Sequence, residues 1–387
     1  MMSNQFYRDT WAEVNLDHVQ ENLKAIKELL PKDTAVMAVV KANAYGHGDI
    51  QVAKAALDAG ATSLAVALLD EGIRLREHGI EAPILVLGST RGSDAPVAAE
   101  YGISVTVHGK SYIEDALKHL KESERQLHIH IKIDTGMSRL GIRTEEEMKD
   151  IEYILQKQNK IQVEGVFTHF AKADEEDLGH SKNQLMKFLS ILHSMNSLPP
   201  MIHTSNSAAA MRLPDAYFNM VRVGIAMYGL SPSPEIKNEL PVNLKPALSL
   251  YTRVKQVKRI HTGNTVSYGG TYEAMAPEWI VTLPIGYADG WIRKLSGQNV
   301  LIKGKRAPIV GRICMDQCMV RVDEPIQEDT IVTLIGTDGQ EAITADELAE
   351  KLETINYEIT CQLSYRIPKV YKAGGKTVDI VNMLFRK

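Results

Sequence analysis

Lys41 directly follows the apolar run Ala35-Val36-Met37-Ala38-Val39-Val40. An amine that emerges from an apolar wall is partly desolvated, which lowers its pKa and suits it to Schiff-base formation with a carbonyl. A lysine that only ends a strand and reaches back to water fits the same position, so Lys41 by itself decides nothing. Other polar and ionisable groups occur in the same context, at the ends of apolar runs. Asp134 is followed by Arg139, His169 closes another run, Ser205-Asn206-Ser207 a third, and Arg222 precedes Gly224.

Several tempting signals lead nowhere. Asp134-Thr135-Gly136 has the look of an aspartic-protease triplet, but that chemistry needs a second such carboxylate and none follows. His128 and His130 are spaced as metal ligands sometimes are, yet on a strand that spacing lines one face. Cys314 and Cys318 lack a second ligand pair for zinc. No metal is expected.

The elements that must position these groups alternate. Strand-like runs are read at 34–41, 62–67, 83–89, 104–108, 127–134, 162–170, 201–207 and 219–229, with helical patterns between most of them, including 73–78, 111–121 and 144–158. The last opens on Thr144-x-x-Glu147, a capping box. Alternating strands and helices imply parallel βα units, and eight of them in about two hundred residues fit a (β/α)8 barrel of the TIM type. A doubly wound sheet is the alternative, but no G-x-G-x-x-G loop follows the first strand. In a barrel, active sites lie at the C-terminal strand ends, where the groups above gather.

Beyond Ser231-Pro232-Ser233-Pro234 the pattern changes to short strands at 248–260, 279–284, 300–303, 307–313, 318–322 and 331–335, with one helix at 344–352. The chain therefore reads as α/β, an N-terminal barrel (1–240) followed by a mostly β C-terminal domain (241–387), with an N-terminal strand able to join the β domain. Two domains also suit 387 residues, since one core rarely grows past about 250–300. A net charge of −4 gives no footprint for nucleic acid or for an anionic membrane surface. Residues 1–11 are polar, so no secretory leader is expected, and no apolar run has membrane-spanning length. Three cysteines cannot all pair within one chain, which fits a reducing cytoplasm.

The run Val39-Val40-Lys41-Ala42-Asn43-Ala44-Tyr45-Gly46-His47-Gly48 resembles the cofactor-attachment signature of the alanine racemase family, which uses pyridoxal 5'-phosphate. The likeness continues through 133–141, 168–170, 206–208, 221–225, 266–269, Gly286-Tyr287-Ala288-Asp289-Gly290, 315–317 and 355–358. It implies that Lys41 carries the cofactor and is one catalytic base. The second base is Tyr268, contributed by the other subunit of a homodimer with shared active sites. Tyr45, Ser207, Gly224, Ile225 and Tyr357 would hold the phosphate, Arg222 the ring nitrogen, and His169 would orient Arg222 and Tyr268. Arg139, Met315 and Asp316 would meet the substrate. Lys132, on the inward face of its strand, stands where members of the family often carry a carbamylated lysine. The implied reaction is interconversion of L- and D-alanine, supplying D-alanine for peptidoglycan or catabolising it. The alternatives are a broad-specificity or serine racemase on the same fold, a decarboxylase, or a non-enzymatic pyridoxal-phosphate-binding protein. Decarboxylases would need acidic residues for a distal amine, which are not located, and the non-enzymatic proteins lack the β domain.

Overall fold

The structure, a computed structural model, describes residues 6–385. It divides into two units: His18–Ala44 with Gly48–Lys245, and Met1–Asp17 with Tyr45–His47 and Pro246–Lys387. Residues 1–5 and 386–387 lie outside the described set, and with them the start of the segment read for a leader.

The first strand, β1 (Trp11–Asn15), belongs to the β-rich unit. The next eight, β2 (Ala35–Val39), β3 (Ser63–Val66), β4 (Ile84–Val86), β5 (Ile103–Val107), β6 (Leu127–Lys132), β7 (Ile161–Phe167), β8 (Met201–His203) and β9 (Met220–Val223), close into a parallel barrel. Closure excludes the doubly wound sheet. It also pairs β9 with β2, Met37 opposite Arg222, so the strand that leads to Lys41 lies beside the strand that carries Arg222. Four of the eight barrel strands, β3, β4, β5 and β9, are buried along their whole length, as befits parallel strands covered by helices. Val105, Val107, Ile129 and Ile131 pack against Ile113, Met148, Ile151 and Phe188 to form one layer of core between strands and helices.

The Glu145–Leu155 helix starts as read: Thr144 Oγ1 accepts from Glu147 N at 3.2 Å while the Glu147 carboxylate accepts from Thr144 N. One irregularity matters for the site. The β6–β7 register shifts between Ile129 and His130, and a Cβ at Gly165 would collide with the His130 ring. Bulge and glycine together make room for an imidazole inside the barrel.

The β-rich unit is built on an 11-stranded sheet, in which β1 lies between Leu248–Arg253 and Lys369–Ala373. The run read as one strand at 248–260 is two. Val254 N bonds Thr330 O and Lys255 N bonds Thr282 O, so the chain changes neighbours within two residues. The strand read over 307–313 stops at Val310 because Gly311 turns to a φ of 68°. The Ala345–Leu352 helix is present, capped by Thr344. A second helix, Asn356–Cys361, and the Lys369–Ala373/Lys376–Val381 hairpin around Gly374-Gly375 complete the unit.

Candidate active site

Lys41 leaves β2 on a single turn of left-handed helix. Ala42, Asn43, Ala44 and Tyr45 all have φ between 52° and 53°, and Gly46 follows at 83°. Left-handed backbone costs roughly 1–2 kcal/mol for each L-residue other than glycine, so the turn exists only because its surroundings over-determine it. Glu71 Oε1 accepts from Ala42 N at 2.6 Å, Val40 O from Ala44 N at 2.9 Å, and Asn43 Oδ1 from Asp49 N at 3.0 Å. Asp49 is in turn fixed by Arg74 at 2.7 Å. Glu71 also takes the amides of Ala67 and Leu68, tying the Lys41 turn to the loop after β3.

Arg222 is the polar centre of the barrel unit, 3% exposed. Its Nη1 donates to His203 Nδ1 (2.9 Å) and His203 O; its Nη2 donates to Thr168 O (2.8 Å), Thr204 O and, at 3.4 Å, His169 Nδ1. A guanidinium has no acceptor, so His203 Nδ1 must be the unprotonated nitrogen and Nε2 must carry the hydrogen. That hydrogen goes to His130 Nδ1 at 2.8 Å, which fixes the His130 tautomer in turn. Phe167 stacks on His203 with ring centroids 4.8 Å apart. Burial, then the Arg222 charge, pushes His130 down to about 3, and the same two causes hold His203 well below the usual imidazole range. Burial alone brings Arg222 down to about 9.

Positive charge converges on this end of the barrel. His169 is kept neutral first by burial and then by Lys132, Arg222, Arg139 and Lys41, all four of which bear on its ring. Lys132 is buried with its ammonium 4.4 Å from the centre of the Phe167 ring, and burial, Arg222 and Arg139 depress its pKa against the pull of Asp134. The Arg139 loop hangs from Asp134, whose Oδ1 accepts from Gly136 N (3.1 Å) and Ser138 N (2.9 Å). Gln184, buried on the Gly179–His193 helix, donates to Thr135 Oγ1 and His169 O and accepts from Ala171 N. After β8, Ser207 Oγ accepts from Gly224 N at 2.8 Å, which leaves its own hydrogen to donate. Ile225 is buried at the start of the turn that follows Gly224. The structure thus brings Lys132, Arg222, Arg139 and Lys41 within electrostatic reach of His169, and Ser207 against Gly224. Sequence reasoning missed His203 and Glu71 and set His130 aside as structural. Inward alternation along β6 was the available signal for His130.

In the β-rich unit, the rings of Tyr45 and Tyr357 lie 5.9 Å apart, and Gly46 passes too close to Thr360 O to carry a Cβ. Tyr268 caps a ribbon of Thr265–Val266 and Tyr272–Glu273 and is 71% exposed. Met315 is 53% exposed, and Asp316 accepts from Arg366 Nη2 at 2.7 Å. Among the described residues no cluster of His, Cys, Asp or Glu could hold a metal ion, and no helix is long and apolar enough to cross a membrane.

Residues 14–232 match the family model for the alanine racemase N-terminal domain, and residues 247–371 the model for its C-terminal domain. The chain is 52% identical over 383 residues to an alanine racemase of Geobacillus stearothermophilus, covering 99% of this chain and 98% of that one. It is 47% identical to alanine racemase 1 of Bacillus subtilis, over 100% and 99%. Among solved structures, alanine racemase from Bacillus anthracis with bound L-Ala-P superposes with a TM-score of 0.96 at 48% identity, covering 98% of this chain and 99% of that one. A histidine racemase from Leuconostoc mesenteroides subsp. sake gives 0.91 at 32% identity, over 96% and 100%.

Proposed function

The chain belongs to the alanine racemase family and is an isomerase acting on amino acids, and on that premise we propose that it interconverts L- and D-alanine by a two-base mechanism with pyridoxal 5'-phosphate on Lys41. When bound, the cofactor supplies the electron-accepting ring that acidifies the α-proton of an amino acid attached to it. The residues present fit that group. The five hydrogen bonds of Arg222 use only its terminal nitrogens, so Nε is a donor they leave over for a ring nitrogen. The Ser207 hydroxyl, held in place by the Gly224 amide, supplies donors for a phosphate dianion together with the Ile225 amide and the hydroxyls of Tyr45 and Tyr357. The observation that carries the reading is the buried Arg222: a guanidinium cannot accept a proton, so a ring nitrogen facing it stays unprotonated. Such a ring withdraws electrons less strongly, which limits side reactions and suits racemisation.

Racemisation removes a proton from one face of Cα and returns one to the other. Tyr268 serves the α-proton of L-alanine and Lys41 that of D-alanine. Tyr268, with Met315 and Asp316, comes from the second subunit of a homodimer, and the exposure of Tyr268 and Met315 supports a face made to be covered. His169, held neutral, accepts from Arg222 and orients it together with Tyr268. Arg139 meets the substrate carboxylate. Lys132 is the candidate for carbamylation: an ammonium buried beside two arginines is costly, and conversion to an anion would compensate both. Cytoplasmic action on free alanine, supplying D-alanine for peptidoglycan or running in reverse, completes the reading. The solved histidine racemase likeness favours testing larger substrates as well.

The test is incubation of the purified protein with pyridoxal 5'-phosphate and L-alanine, followed by optical rotation, and borohydride reduction followed by peptide mapping. Rotation should decay to zero and the pyridoxyl label should fall on Lys41. A label on Lys132 or Lys172, or persistent rotation, would contradict the proposal.

A further inference from the structure

The motif Gly286-Tyr287-Ala288-Asp289-Gly290 has no part in the chemistry above. Its two glycines are dictated by contact. A Cβ at Gly286 would collide with the carbonyl oxygens of Cys314 and Met315, and one at Gly290, where φ is 94°, with Gln362 O. In that close approach Tyr287 N donates to Cys314 O and Ala288 N to Met315 O, both at 3.0 Å, while Cys314 N and Gln317 O close the next turn at 2.8 Å. The motif therefore grips the backbone of residues 314–315.

Its aspartate is fully buried, a costly place for a carboxylate unless it is completely paired. Both Asp289 oxygens accept from Arg8, Oδ2 also accepts from Gly286 N at 3.0 Å, and Arg366 Nη1 lies 3.5 Å from Oδ1. The other terminal nitrogen of Arg366 donates to Asp316 Oδ1 at 2.7 Å. Arg366 N is held by Ser364 Oγ at 3.1 Å, and Ser364 N by Asp289 O at 3.1 Å. A guanidinium is a rigid plane, so anchoring one nitrogen on a buried carboxylate fixes the direction of the other.

We propose that Arg366 is a positioning residue: anchored on Asp289, it holds the Asp316 side chain and so sets the edge of residues 315–316 for recognition of the substrate carboxylate. This rests on the reading that residues 315–316 border that carboxylate. The pairing does two things. It fixes the loop from the side-chain end while the Gly286 turn fixes it from the backbone. It also neutralises Asp316, which would otherwise repel an anionic substrate at close range.

The relay is tested in the cofactor-saturated enzyme with Arg366→Met, Arg366→Lys, Asp316→Ala and the Arg366→Met/Asp316→Ala double variant. Arg366→Met leaves Asp289 paired with Arg8, so thermal melting followed by circular dichroism should show a folded protein. KM for alanine, and the inhibition constant of the unreactive carboxylate propionate, should rise about tenfold with kcat changed less than about twofold. Arg366→Lys should recover most of the loss, and the double variant should match Asp316→Ala, because Arg366 acts only through Asp316. A shifted KM in Asp316→Ala with none in Arg366→Met would leave the placement of residues 315–316 standing and overturn the relay. Additive effects in the double variant would do the same. An unchanged KM in Asp316→Ala would contradict the placement itself and the proposal with it.

Discussion

Arg222 offers five hydrogen bonds and accepts none, and that one-way chemistry propagates through the barrel. It forces His203 and then His130 into single tautomers, both neutral and both buried. Replacing the guanidinium by a carboxylate reverses its meaning, because a glutamate there would keep a facing ring nitrogen protonated. Arg222→Glu should racemise alanine at least about tenfold more slowly, transaminate more, and accumulate a long-wavelength absorbing species in stopped-flow spectra. Unchanged reaction specificity would leave Arg222 a structural residue. The imidazoles carry a stability prediction. His130 titrates near 3 when folded, below the ordinary value of 6.5, so between those values the unfolded chain binds the extra proton and acid favours unfolding. Urea stability should therefore fall as pH drops from 6.5 toward 4, by up to about 1.4 kcal/mol per pH unit for one such group. His130→Asn keeps an acceptor for His203 and removes the titration, so its acid limb should be shallower. An equally steep limb would place the acid sensitivity elsewhere.

At the scale of elements, the turn after β2 is the costly piece, four consecutive left-handed residues presenting Lys41. Ala42 is exposed within it, and glycine there would remove about 1–2 kcal/mol of strain against about 0.5–1 of added chain entropy. Ala42→Gly should be neutral to stabilising by about 1 kcal/mol in urea unfolding, and Ala42→Val destabilising by more than about 1 kcal/mol. Destabilisation by glycine would show that the strain is not in the folded turn. The position of Lys41 at a strand end was legible because β-branched and apolar runs announce strands. The handedness of the turn was not, because Ala-Asn-Ala-Tyr has no propensity for it and it is imposed by groups outside the run, among them Glu71, Val40 and Asp49. The same holds for His203: a short run of three residues carries it, and its partners lie 19 and 73 residues away in sequence. Arg366 and Asp289 escaped for that reason too, since an ion-paired aspartate looks like any polar residue until its partners are placed.

Across the whole molecule, a closed barrel presents amine, guanidinium and hydroxyl groups at its strand ends, and a β-rich unit presents Tyr268 exposed on a narrow ribbon. The barrel-then-β architecture was readable because hydrophobic period and turn chemistry change together near residue 231. The division of 248–260 into two strands was not, because a change of sheet neighbour leaves no mark in local composition. The two-base proposal assigns Lys41 and Tyr268 to opposite faces of Cα. Steady-state rates cannot assign the faces, since losing either base slows both directions alike when the equilibrium constant between enantiomers is one. Proton exchange can. Tyr268→Phe with pyridoxal 5'-phosphate in D₂O, followed by NMR, should wash deuterium into the α-position of D-alanine without converting it, while L-alanine stays almost inert. Preferential exchange into L-alanine would reverse the assignment, and equal exchange into both enantiomers would contradict two bases in favour of one mobile base.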